Sequence, residues 1–70
     1  MMRMVPSRLK AARVEGGFTQ KQLATCIGMA TPTYSMKERG LRTFSIKEVY
    51  KIISALHLNN ARMSEIFFAD

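Results

Sequence analysis

Residues 18–40, FTQKQLATCIGMATPTYSMKERG, leave the chain little conformational choice. Thr19 followed three positions later by Gln22 is a capping box. The threonine hydroxyl and the glutamine side chain satisfy each other's orphan backbone N–H groups and start a helix. Leu23, Ala24 and Ile27 then fall on one helical face. Gly28 ends that helix, because glycine enters the left-handed conformation without steric cost. Met29 follows as an apolar anchor. Thr31 is placed to cap a second helix with Pro32 at its first position, where a missing N–H matters least. That helix carries Tyr34 and closes at Gly40. Two helices of about 19–27 and 32–39 are thus separated by a turn too short to let them drift apart.

The flanking segments read as three more helices. Pro6 or Ser7 opens a first, about 6–16, with Leu9 and Ala12 on its inner face and Gly16-Gly17 as its stop. Phe18 precedes the capping Thr19, the position of a hydrophobic staple. After a loop at 40–44, Ser45 and Glu48 form a second capping box and open a helix of about 46–56. Ile46, Val49, Tyr50, Ile52, Ile53 and Leu56 give it a broad apolar face, with an exposed edge allowed at Tyr50 and Lys51. His57-Leu58 exits, and Asn59 or Asn60 caps a last helix of about 60–68. There, Met63, Ile66 and Phe67 close the core, and Phe68 is left over. The expected architecture is all-α, with five helices in one domain over residues 6–70 and a loose N-terminus at 1–5.

Seventy residues make one small domain whose core needs close helix packing or a partner chain. The charge is unevenly placed. Lys and Arg total 11 against 5 acids. Residues 1–42 hold eight of those cations and only Glu15 and Glu38, while residues 43–70 are balanced. A basic half of this kind suits a polyanion. One cysteine excludes an internal disulfide and a Cys-rich zinc site, and Cys26 is expected to be partly buried. His57 has no partner at ligand spacing, so no metal is expected. No signal-peptide run or membrane-length apolar stretch occurs, which points to a soluble cytoplasmic chain with no membrane partner. The acids, the single His and the single Cys are scattered, and there is no phosphate loop or nucleophile motif. The reading is therefore of a non-enzyme with no cofactor and no small-molecule substrate.

The order Phe18-Thr19-Gln20, Leu23-Ala24, Ile27-Gly28 and, twelve residues on, Glu38-Arg39-Gly40 resembles the helix-turn-helix of the phage repressor and Cro family of transcription regulators. The resemblance runs from about Leu9 to Phe67 and implies a lambda-repressor-like DNA-binding domain. In such a domain the second helix of the motif enters the major groove and the first crosses the DNA backbone. By that resemblance Thr31, Pro32 and Met36 read bases. Gln20, Thr33, Ser35, Lys37, Arg39 and Arg42 lie at phosphates or the groove edge. Arg13 pairs with Glu38 to tie the first helix to the recognition helix. Tyr34 stands where the family buries an aliphatic residue; its ring is expected to pack, with its hydroxyl reaching the rim towards a phosphate. Relatives dimerise through the last helix, which assigns Phe67 and Phe68 to a homodimer interface.

The base-reading set departs from the family habit of Gln, Arg, Lys or Asn. Threonine offers one hydroxyl, while proline and methionine offer only apolar contact, suited to thymine methyl groups. Direct readout is then modest, and DNA shape carries much of the specificity. The functional reading is a sequence-specific regulator of double-stranded DNA on a phage or bacterial genome. Seventy residues leave little room for an effector domain, which favours the Cro-like form over a repressor with one. The alternative is a protein-interaction module, antitoxin-like or anti-repressor, that retains the fold.

Overall fold

A computed structural model describes residues 3–70. Five helices succeed one another: α1 (Pro6–Glu15), α2 (Gln20–Cys26), α3 (Thr31–Glu38), α4 (Ile46–Leu56) and α5 (Asn60–Phe67). The fold is all-α, the only extended pairing among the described residues being a single antiparallel bridge between Arg3 and Ala69. Local chemistry accounts for the boundaries. Thr19 Oγ1 accepts from the Gln22 N–H at 3.0 Å while Gln22 Oε1 accepts from the Thr19 N–H at 2.9 Å, so the box that opens α2 is reciprocal. Ser45 and Glu48 do the same for α4. The Asn59 side chain accepts from the Arg62 N–H and starts α5. α4 ends at His57, which adopts a left-handed φ of 52°.

The core draws on every helix: Leu9 and Ala12 from α1, Leu23 and Ala24 from α2, Tyr34 from α3, Val49 and Ile52 from α4, and Ile66 and Phe67 from α5. Ile27 joins them from the turn. Phe44, from the loop before α4, stands between two other rings. Its centroid is 5.8 Å from Tyr34 and 6.3 Å from Phe67, the latter in an edge-to-face arrangement. Offset and edge-on rings gain from their quadrupoles as well as from area. This aromatic row joins α3 to α5.

Several expectations are corrected here. The loose N-terminus at 1–5 does not extend to residues 3–5. Arg3 exchanges backbone hydrogen bonds with Ala69 at 2.9 and 3.0 Å, and the Val5 N–H donates to the Ile66 carbonyl at 2.7 Å. The last carbonyls of a helix have no intrahelical partner, and the N-terminal segment supplies one. Met1 and Met2 lie outside the described residues. α3 begins one residue early, with Ala30 as its cap and no side-chain capping bond, so Thr31 is its first residue rather than its cap. Ile46 and Tyr50 are 61% and 63% exposed, leaving the apolar face of α4 narrower than its sequence pattern. Cys26 is exposed.

Gly28 has φ +74° and nothing within 4 Å of where a Cβ would stand. Replacing it is therefore a matter of backbone conformation alone. Gly28→Ala should lower stability by about 1–2 kcal/mol, the cost of a left-handed L-residue, and Gly28→Asn by less. Urea unfolding followed by circular dichroism measures both, and equal losses would disagree with a purely conformational cause.

Candidate nucleic-acid interface

The turn between α2 and α3 is closed by the chain itself. Ile27 is the C-cap of α2, Gly28 turns left-handed, and the Met29 N–H reaches back to the Ala24 carbonyl at 2.8 Å. With Ala30 already the cap of α3, only a few residues separate the helices. Their mutual angle is then set by packing, with Leu23, Ala24 and Ile27 on one side and Tyr34 on the other.

A second constraint acts on α3 from beneath. Glu38 is 3% exposed and Arg13 7%. Arg13 Nε donates to Glu38 Oε1 at 2.7 Å, and its Nη1 donates to the Phe18 carbonyl at 2.7 Å. The Tyr34 hydroxyl donates to the same Oε1 at 2.8 Å. Gln20 Nε2 donates to Oε2 at 2.8 Å. One carboxylate thus receives hydrogen bonds from α1, from α2 and from its own helix. Among the described residues no buried side-chain nitrogen or oxygen lacks a partner. Burial by itself pushes the Glu38 carboxyl up. The hydrogen bonds from Arg13, Gln20 and Tyr34, together with the Arg13 charge, outweigh it and hold Glu38 below the usual glutamate value. Burial, then the hydrogen bond to Glu38, drive the Tyr34 phenol far above its ordinary range, so it remains a donor.

The base-reading candidates occupy the start and the outer face of α3. Thr31 is its first residue and is half-buried; Pro32 is exposed; Met36 is half-buried. At 100° per residue Pro32 and Met36 lie one turn apart, diametrically opposite the buried Tyr34 and Glu38. Thr33 and Ser35 are half-buried on the two flanks of that stripe. Arg39 caps the end of α3, exposed, with its Nε 3.4 Å from the Ser35 carbonyl. Arg42 is exposed in the following loop. Gln20 begins α2, where backbone N–H groups have no intrahelical partner and favour an anion.

Three assignments change. Lys37 does not extend outward: its Nζ lies 2.8 Å from Glu48 Oε1 and its side chain is 12% exposed. That pairing locks α3 to α4 and, together with the Ser45 hydrogen bonds, holds Glu48 below its usual range against the upward push of its burial. The Tyr34 hydroxyl points inward to Glu38, not to a phosphate, because the buried carboxylate one turn along the same helix accepts its hydrogen bond at 2.8 Å. Phe67 is 5% exposed and packs edge-on to Phe44, so of the two residues assigned to a dimer surface only Phe68 is partly accessible. One residue escaped the sequence reading. Ala30, exposed at the cap of α3, precedes its first turn, and the threonine-before-proline pattern drew the cap one residue too far along.

Among the described residues no helix is long and apolar enough to cross a membrane. No three His, Cys, Asp or Glu side chains among them gather at metal-ligand spacing.

Two short helices joined at a glycine turn, with a basic loop beyond the second, define a DNA-binding helix-turn-helix domain. Comparison with known families matches residues 9–59 to the family described as helix-turn-helix. That span is well over half of the chain, which belongs to this family, the repressor and Cro type of DNA-binding regulators. A search of curated proteins gives no significant match.

Because the folded chain holds Glu38 below the usual glutamate value, its ionised form contributes stability in full at neutral pH. That contribution is lost as the pH falls through the depressed value. Thermal unfolding followed from neutral pH to about pH 3 should show a falling midpoint. Glu38→Gln leaves Arg13 buried without its counter-charge and should cost about 3–5 kcal/mol at neutral pH. It should also flatten the acid limb, with Glu48 supplying the remaining slope. A variant with the parent's stability and acid profile would contradict the assignment of Glu38 as the anchor.

Proposed function

We propose that this chain is a sequence-specific regulator of transcription, Cro-like or repressor-like, that binds double-stranded DNA as a homodimer. The observation that carries this reading is the rigid presentation of α3. Its inner face is tied to α1, α2 and α4 through Glu38 and Lys37, and its outer stripe of Pro32 and Met36 is open to solvent. Residues 32–39 lie in the major groove, with Thr31, Pro32 and Met36 at base edges, while α2 crosses the backbone. Arg39 and Arg42, exposed on one side of the stripe, neutralise phosphates, and Gln20 adds a backbone contact while bracing Glu38. Thr33 and Ser35 approach the groove edge. Residues 6–70 act as a single unit, two copies related by a two-fold axis occupy half-sites about one helical turn apart, and Phe68 lies at their junction. Occupancy near a promoter excludes polymerase or a rival regulator.

A second reading is favoured by a different observation. Leu41, Ile46 and Tyr50 expose large apolar side chains beside the same loop, and a protein-interaction module, antitoxin-like or anti-repressor, would use them. Salt separates the two. Each phosphate neutralised contributes about −0.9 to the slope of log affinity against log salt. Arg39 and Arg42 in both copies of a dimer predict a slope steeper than about −3, whereas an apolar protein interface is nearly insensitive to salt.

Selection from a random duplex pool should yield a sequence with two-fold symmetry. Arg42→Ala should weaken binding to all DNA and reduce the slope by about 1 per copy. Thr31→Ala should blur the preference at one position per half-site. Failure to enrich any sequence, with both variants binding like the parent, would contradict the regulator reading.

A further inference from the structure

Residues 31–36 of α3 read Thr-Pro-Thr-Tyr-Ser-Met. None is an amide or a cation, so none can make the bidentate bonds to guanine or adenine edges that usually carry direct readout. The neighbouring polar groups do not make good the lack. The Tyr34 hydroxyl is turned inward to Glu38. The Lys37 ammonium is held by Glu48. Arg39, the exposed C-cap, lies two turns along the same face from Pro32, and its Nε is turned back towards the Ser35 carbonyl at 3.4 Å. What faces outward is the pyrrolidine ring of Pro32 and the thioether chain of Met36, one turn apart, with the methyl of Ala30 exposed ahead of them.

The major groove displays one apolar group, the C5-methyl of thymine. Cytosine methylated at C5 carries the same methyl at the same ring position. The two bases differ at position 4, an acceptor in thymine and a donor in cytosine, and neither the Pro32 ring nor the Met36 side chain carries a hydrogen-bond donor to tell them apart. We propose that α3 reads C5-methyl groups as such: at the positions that face Pro32 and Met36, thymine and 5-methylcytosine are bound alike, and uracil and unmethylated cytosine are both disfavoured. Binding then responds to cytosine methylation of the operator. The inference rests on the operator reading above and adds what that site recognises.

The test uses the duplex selected from the random pool. At each thymine of one half-site in turn, the base is replaced by uracil, by cytosine paired with guanine, or by 5-methylcytosine paired with guanine, and affinity is titrated by fluorescence anisotropy. Burying one methyl predicts about a four-fold loss for uracil and for cytosine at the contacted positions. Methylating the cytosine should restore the thymine level. Pro32→Ala and Met36→Ala should each close the thymine–uracil gap at one position while leaving the helical circular dichroism unchanged.

Equal affinity for thymine and uracil at every position, in a protein that still selects the sequence, would overturn methyl readout and leave the operator reading standing. So would a gap that survives in both variants, since the methyl would then act through DNA shape. A parent that selects no sequence at all would overturn both.

Discussion

One buried carboxylate sets the geometry on which the rest of this domain depends. Glu38 sits at the last turn of α3 and receives Arg13 from α1, Gln20 from α2 and Tyr34 from within α3, all at 2.7–2.8 Å. A charge taken out of water costs several kcal/mol, and partners of this quality are what offset it. Hydrophobic packing alone is non-directional: Leu23, Ile27 and Tyr34 would tolerate small rotations of α3. The carboxylate has few acceptable orientations, because each oxygen is aimed at donors on a different helix. The ion pair therefore contributes less to net stability than to a unique placement of the recognition helix.

That placement determines what the surface can offer. Tyr34 and Lys37 belong to residue types that could reach a phosphate or a base, yet both are engaged inward, with Glu38 and Glu48. Arg39 and Arg42, both exposed, lie at the end of α3 and in the loop after it. Charge and shape are thereby separated along the helix. On the proposed reading, the far end supplies the electrostatic attraction common to all duplexes, and Pro32 and Met36 form a small apolar reading face. On that same proposal, such a face discriminates by methyl groups and groove shape rather than by hydrogen-bond pattern.

The parts of this arrangement legible in the sequence are those written in local chemistry. The Thr19–Gln22 and Ser45–Glu48 boxes and Gly28 act within a few residues of themselves, and they placed α2, α4 and the turn to within a residue. The order and spacing from Phe18 to Gly40 carried the resemblance that named Arg13 and Glu38 together. What escaped depends on groups distant in the chain. Glu48 lies eleven residues from Lys37, and nothing between them announces that one captures the other. The Tyr34 hydroxyl is the exception: its acceptor Glu38 is one turn away on the same helix, a spacing the sequence does display. Phe67 reads equally well as core or as interface until Phe44 is seen to seat it. Residues 3–5 have no local reason for order; the carbonyl of Ile66 and the backbone of Ala69 supply it from the other end of the chain.

The most direct measurement is an amide chemical-shift titration of the labelled protein with the selected duplex, at moderate salt. If α3 lies in the groove as the account holds, the largest perturbations fall at Gln20, at residues 30–36 and at residues 39–43, with little change at the outer face of α5. Perturbations confined to Ile46, Tyr50 and Phe68, with residues 30–36 unmoved, would contradict it and place the functional surface on α4.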